Sequence, residues 1–266
     1  MALLLFVPLL SLYLLSLRGR TGHQGFSALR GWAYAHRGLH GDGAPENSME
    51  AFRRAKNAGY GIELDVHLLK DGNLAVIHDS LLLRTTGQEG RIEDLATEDL
   101  SDFKLEGTDF TIPTFQEVLD LYDGCAPLIV ELKEAGNCQE LCQRVCDVLD
   151  DYAGMYCVES FDPRCVRWFR ANRPDIIRGQ LAENYFKTKN SKLPFVLKLL
   201  LSNNMLNFLT RPDFVAYRYS DRRGLSNYLC RKLWRLKSVY WTLKDQNEFD
   251  ETLKQNALPI FEDFCP

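Results

Sequence analysis

The sequence predicts an α/β fold: a (β/α)8 barrel of the TIM type, with a β-hairpin at its C-terminal face and a hydrophobic helix at its N-terminus. Three observations predict it. Apolar, β-branched or aromatic runs recur along the 266 residues with helical stretches between them, the alternation expected of parallel βα units. No internal repeat or low-complexity linker divides the chain, so one domain is expected over 31–266, behind an N-terminal segment at 1–20. His36, Glu63, Asp65 and Glu131 fall at or near the C-terminal ends of such runs, where barrels of this kind build their active sites.

The N-terminal run ALLLFVPLLSLYLLSL, residues 2–17, is apolar but short for a spanning helix of ~20 residues. It has no charged leader and no small-residue cleavage site, so a cleaved signal peptide fits poorly. Arg18, Arg20 and Arg30 follow it. By the positive-inside rule the segment holds the protein at a membrane with the barrel on the cytoplasmic side. A hydrophobic helix packed on the domain itself is the alternative.

Strands are expected near 32–36, 61–68, 74–78, 128–133, 155–160, 176–181, 213–218, 238–243 and 259–263. That is one too many for eight. Asp71-Gly72 lies between two alternating runs, a strong hairpin signal. A two-residue loop would pair Lys70 with Asn73 and set Asp65 opposite His78, making 74–78 a return strand above the barrel mouth. No eighth helix is read after the last strand, so either the N-terminal segment or nothing is expected to cover that side of the barrel. Residues 187–212 exceed what a βα connection needs. They carry Leu193, Phe195, Leu197, Leu201 and Phe208 beside Lys187, Lys189, Lys192 and Lys198. They read either as helices buried against the barrel or as an interfacial element whose apolar residues dip into a lipid boundary.

With 45% hydrophobic and 26% charged residues the chain can bury a real core, and its net charge of −4 gives no nucleic-acid footprint. Of the eight cysteines, Cys138, Cys142 and Cys146 recur every fourth residue on one expected helix, which reads as a packed stripe. There is no CxxC pair, so reduced thiols and no zinc site are expected.

Glu63 and Asp65, two apart on a strand, share one face, and Glu131 with Lys133 adds to it from another. Carboxylates converging there repel, so either some are protonated or a cation lies between them. Oxygen-only ligands favour Mg²⁺ or Ca²⁺. His36 and His78, each just after an apolar run and near a carboxylate, suit paired proton transfer. Arg37 and Lys133 beside a divalent ion suggest an anionic substrate, most simply a phosphate ester.

Nine pieces in order, AHRG (35–38), PENSMEAF (45–52), IELDVHLLKDGNLAVIHD (62–79), LLLRTTGQEG (81–90), IPTFQEVL (112–119), LIVELK (128–133), SFDP (160–163), YWTL (240–243) and IFEDFCP (260–266), resemble the glycerophosphodiester phosphodiesterase family. The resemblance implies a (β/α)8 barrel, a divalent metal, and cleavage of a glycerophosphodiester to glycerol 3-phosphate and an alcohol. It implies Glu63, Asp65 and Glu131 as metal ligands, His36 and His78 as catalytic residues, and Arg37 and Lys133 on the phosphate. It places Glu46 and Asn47 at the border of the site and Phe161 and Trp241 in the substrate wall. Ser48 stands where the family often has Thr, and the last strand lacks the usual preceding glycine. A small-molecule or lipid-derived phosphodiester is the expected partner, with a membrane surface and without nucleic acid. Lysophospholipase D-like activity is the alternative substrate reading. A non-catalytic phosphodiester-binding module is opposed by the intact histidines and carboxylates.

Overall fold

The computed structural model describes residues 2–133, 136–189 and 192–266. The elements run α1 (Ala2–Ser16), β1 (Tyr34–His36), α2 (Met49–Asn57), β2 (Gly61–Leu68), β3 (Leu74–Val76), α3 (Leu83–Thr86), α4 (Phe115–Tyr122), β4 (Leu128–Leu132), α5 (Cys138–Leu149), β5 (Tyr156–Ser160), α6 (Pro163–Asn172), β6 (Arg178–Ala182), α7 (Phe195–Ser202), α8 (Asn207–Thr210), β7 (Phe214–Arg218), α9 (Leu225–Lys232), β8 (Lys237–Leu243), α10 (Gln246–Lys254) and β9 (Leu258–Phe261). Eight strands pair in parallel around a closed barrel in the order β1-β2-β4-β5-β6-β7-β8-β9, and β9 returns to β1. The expected (β/α)8 barrel is therefore present.

Alternation along each strand sorts the side chains. Ile62, Leu64 and Val66 of β2 pack outward with the helices, while the alternate Glu63 and Asp65 face the barrel interior. The lower interior is apolar: Tyr34, Ile129, Phe214 and Ile260 pack with Phe26 and Leu29 of the short helical turn Gln24–Leu29. The barrel closes where the sequence lacks the family's glycine. Tyr34 pairs with Ile260 and Ala35 with Phe261, and Tyr60, Phe249 and Phe264 ring the buried Phe261 at 4.9–6.4 Å. The N-terminal segment does not cover this seam. Its end packs elsewhere, with Trp234 Nε1 donating to the Leu14 carbonyl at 2.8 Å and Asn207 Nδ2 to that of Leu17.

Two expectations need correction. The hairpin exists, with β3 antiparallel to β2, but its register is Val66↔Val76, so Asp65 lies opposite Ile77 rather than His78. The loop has three residues instead of two: the Leu69 N–H donates to the Asn73 carbonyl at 2.9 Å, and Gly72 takes φ +83°, the left-handed position such loops end on. Asp71 stabilises this turn by accepting from the Asn73 and Thr97 N–H groups at 3.1 and 2.8 Å. His78 still reaches the site because β3 ends at Val76 and strand alternation no longer governs it.

The second correction concerns the membrane. Among the described residues no helix is long and apolar enough to cross one, which overturns the expected membrane localisation. The 15 residues of α1 rise about 22 Å, against a hydrocarbon core of ~30 Å, and Pro8 lies inside the helix. With no such helix among the described residues, the positive-inside rule has none to orient, and Leu17 is buried on the domain.

Candidate active site

The site begins where β1 stops. His36 is its last residue, and Arg37 and Gly38 then turn the chain with φ of +55° and +82°. Arg37 is costly in that conformation. It is held there by its N–H, which donates to the Glu63 carbonyl at 2.9 Å and to Glu63 Oε2 at 3.2 Å. Gly38 is required: a Cβ would lie 2.7 Å from the Ala51 backbone. Asn47, also at φ +55°, returns the loop by donating its N–H to the Arg37 carbonyl at 3.0 Å, and Ser48 caps α2.

Glu63, Asp65 and Glu131 converge with ligand oxygens within 4.8 Å of one another, all buried. Lys133 Nζ sits between two of them, 2.9 Å from Asp65 Oδ1 and 2.6 Å from Glu131 Oε1. Asn47 Nδ2 donates to Asp65 Oδ2 at 2.7 Å, and Arg37 Nε lies 3.4 Å from the same oxygen. Burial disfavours ionisation of Asp65, but Lys133, His78, Arg37 and the Asn47 hydrogen bond overcome it and hold the group well below the usual range. Glu63 goes the other way. Burial, then Asp65 and Glu131, push it well above that range. Burial also carries Glu131 up to about 7 against the pull of Lys133. The set suits a hard divalent cation: every donor is oxygen, and Asp65 Oδ1 is buried without a well-directed hydrogen bond. The raised carboxylates mark a place short of positive charge.

Each histidine is tethered by a carboxylate at Nδ1. Glu262 Oε2 lies 3.1 Å from His36 and Asp79 Oδ1 2.6 Å from His78. The anion selects the Nδ1–H tautomer and leaves Nε2 as acceptor; that of His36 is 3.9 Å from Glu63 Oε2. Burial lowers the His36 pKa although Glu262 opposes it. Burial, with Lys133 and Arg37 added, brings His78 to about 4 against Asp65. Both shifts favour the neutral ring in the empty site.

The two residues placed at the border of the site contribute by different routes. Asn47 contacts Asp65 directly, whereas Glu46 binds Arg37 at 2.9 Å and Arg84 at 2.7 Å and so positions the guanidinium. Phe161 and Trp241 stack edge to face at 5.6 Å, with Arg218 over the indole at 5.4 Å. Phe161, but not Trp241, lines a cavity of about 810 Å³. Its lining includes His78, Glu131 and Lys133 together with Leu193, Leu197, Leu201 and Leu206.

Sequence reading missed Glu262, Asp79, Arg84 and Glu159. Asp79 and Glu262 sit inside the quoted segments, but Glu262 is 226 residues from the ring it holds and no spacing reveals that. Glu159 pairs in register with Glu131. Burial and then Glu131 push it well above the carboxylate range, which favours its protonated form inside the barrel.

The glycerophosphoryl diester phosphodiesterase family model matches residues 36–265. The chain belongs to that family. A family relative from Bacillus altitudinis, a glycerophosphodiester phosphodiesterase, is 48% identical over 95 residues, 33% of this chain and 38% of that protein. Lysophospholipase D GDPD1 of Rattus norvegicus is 33% identical over 131 residues, 44% of this chain and 40% of that one. The matches thus span about two fifths of each relative's length. A phosphodiesterase of Oleispira antarctica, solved in complex with the product sn-glycerol-3-phosphate, shares the fold at TM-score 0.73 and 23% identity, covering 92% of this chain and 96% of that one.

Proposed function

We propose that the chain hydrolyses glycerophosphodiesters to glycerol 3-phosphate and an alcohol, with a divalent cation, Mg²⁺ or Ca²⁺, held by Glu63, Asp65 and Glu131. The observation that carries this reading is the cluster of three buried carboxylates, flanked by Arg37 and Lys133 and by two carboxylate-tethered histidines at the barrel mouth. The cation, when bound, neutralises phosphate oxygens as a Lewis acid. Arg37 and Lys133 present their donors to the same phosphate. His36 and His78 share the proton transfers: one neutral imidazole takes the proton of the nucleophile at Nε2, and the other enters the reaction as an imidazolium, with its partner carboxylate stabilising the charge, and gives its Nε2 proton to the leaving alkoxide. Glu262 and Asp79 hold the rings in the required tautomer. Phe161 and Trp241 wall the glycerol or alcohol side. The test is release of glycerol 3-phosphate from glycerophosphocholine with Mg²⁺ or Ca²⁺ and with EDTA. Loss in chelator and recovery on adding metal are expected; full turnover by the metal-stripped protein in EDTA would exclude the reading.

A second substrate reading has its own support. The leucines lining the cavity offer an apolar trough beside the phosphate site, suited to the acyl chain of a lysophospholipid, and the rat relative is named for that activity. Lysophosphatidylcholine assayed beside glycerophosphocholine separates the two. A higher kcat/KM on the acylated diester favours the lysophospholipase D reading, and equal or lower values favour the water-soluble substrate.

A further inference from the structure

We propose that Cys138, Cys142 and Cys165 form a binding site for a soft metal ion, Zn²⁺ by preference, separate from the carboxylate centre. The helical spacing of Cys138, Cys142 and Cys146 reads in sequence as a packed stripe, but the fold brings a third thiol from α6 to the first two. The sulfurs of Cys138, Cys142 and Cys165 lie within 4.8 Å of one another, and Cys138 and Cys142 are 3.9 Å apart. A tetrahedral centre with metal–sulfur bonds of about 2.3 Å needs sulfurs about 3.8 Å apart, so small side-chain adjustments complete the geometry. No CxxC motif marks the site because its third ligand is 23 residues beyond Cys142.

Accessibility and charge fit as well. Cys142 and Cys165 are buried and Cys138 is half-buried, which leaves one open face for entry and for a fourth, solvent ligand. Cys138 is the first residue of α5, a helix of twelve residues, where the helix dipole favours a thiolate. Hydrogen bonds with Cys142 and Cys165 pull its thiol below the ordinary value, while hydrogen bonding to Cys138 raises the other two, so the metal must displace the protons of Cys142 and Cys165 itself. On binding, three S–H bonds give way to three sulfur–metal bonds and the protons pass to solvent. An all-sulfur set prefers zinc-type ions, while the oxygen-only centre prefers Mg²⁺ or Ca²⁺. The two sites therefore sort ions by hardness. The thiol site would tie together α5 and α6, the helices that follow the strands carrying Glu131 and Ser160.

The full-length reduced protein, titrated anaerobically with Cd²⁺ in excess Mg²⁺, should develop thiolate-to-metal absorbance that saturates at one equivalent. Cys138→Ser, at a half-exposed position, should weaken binding at least about tenfold. Zn²⁺ should slow alkylation of Cys138 in the wild-type chain, read by peptide mass spectrometry. Should the variant fail to fold, the wild-type alkylation decides alone. No thiolate absorbance, an unchanged titration in folded Cys138→Ser, or equal alkylation of Cys138 with and without Zn²⁺ overturns the site.

Discussion

Replacing Glu131 with Gln should stabilise the metal-free protein while abolishing its activity. Glu131 is buried, faces Asp65 and Glu63, and has its pKa raised from 4.5 to about 7, with Lys133 offsetting only part of the cost. At about 1.4 kcal/mol per pH unit, ionising this side chain costs the folded state about 3 kcal/mol. Gln resembles the protonated form and can still accept from Lys133 Nζ. Below pH 4.5 the group is protonated in both folded and unfolded chains, so the substitution should be near neutral. Between 4.5 and about 7 the unfolded chain ionises first, and wild-type stability should fall. Above 7 the cost is complete and the gain on substitution should reach its maximum. Relaxation and water entry reduce that figure, so ~1–3 kcal/mol is expected, or roughly 2–10 °C in Tm. The assay is thermal or urea unfolding in EDTA at pH 5 and pH 8.5, repeated with Mg²⁺. The divalent ion should raise wild-type stability and leave the variant almost unmoved. A variant less stable than wild type at pH 8.5 in EDTA, or one that gains equally at pH 5, would refute the repulsive-cluster account.

Other outcomes follow from the same geometry. His36→Ala and His78→Ala should each lower kcat by ~10²–10⁴-fold with the fold intact by circular dichroism; a change under tenfold would remove that ring from proton transfer. Gly38→Ala combines φ +82° with a 2.7 Å approach to the Ala51 backbone and should cost about 2 kcal/mol or more in urea unfolding; wild-type-like stability would contradict the turn geometry. Leu197→Lys places a charge among the leucines lining the cavity, where Leu197 is 40% exposed and tolerant of change. It should raise KM for lysophosphatidylcholine and leave glycerophosphocholine almost unaffected, and equal effects on both would remove the trough from substrate recognition.

Much of the architecture is local information and could be read from the chain. Apolar, β-branched or aromatic runs mark the barrel strands, and the i, i+2 placement of Glu63 and Asp65 sets both on one face whatever they pack against. Asp71-Gly72 marks the hairpin for the same reason: a tight turn is specified by its own residues. The register was not legible because two- and three-residue loops share that signal, and the choice was made by Thr97 and Asn73 binding Asp71. Helix length is local too, but whether an apolar helix spans or packs depends on what meets it. Here Trp234 and Asn207 meet the end of α1.

What the amino-acid order determined alone was therefore the alternation of elements, the identity of the acids and bases, and the strand ends that carry them. Tertiary structure decided which distant groups meet them. Glu262 reaches His36 only because β9 closes against β1, and Cys165 reaches Cys142 only because α5 and α6 are neighbours on the barrel wall. The physical reason is the range of the forces. Backbone sterics and hydrophobic periodicity act over a few residues and are written in the sequence, whereas pKa values, tautomers and ligand sets depend on burial and on charges a few ångströms away in space, which exist only once the barrel has closed.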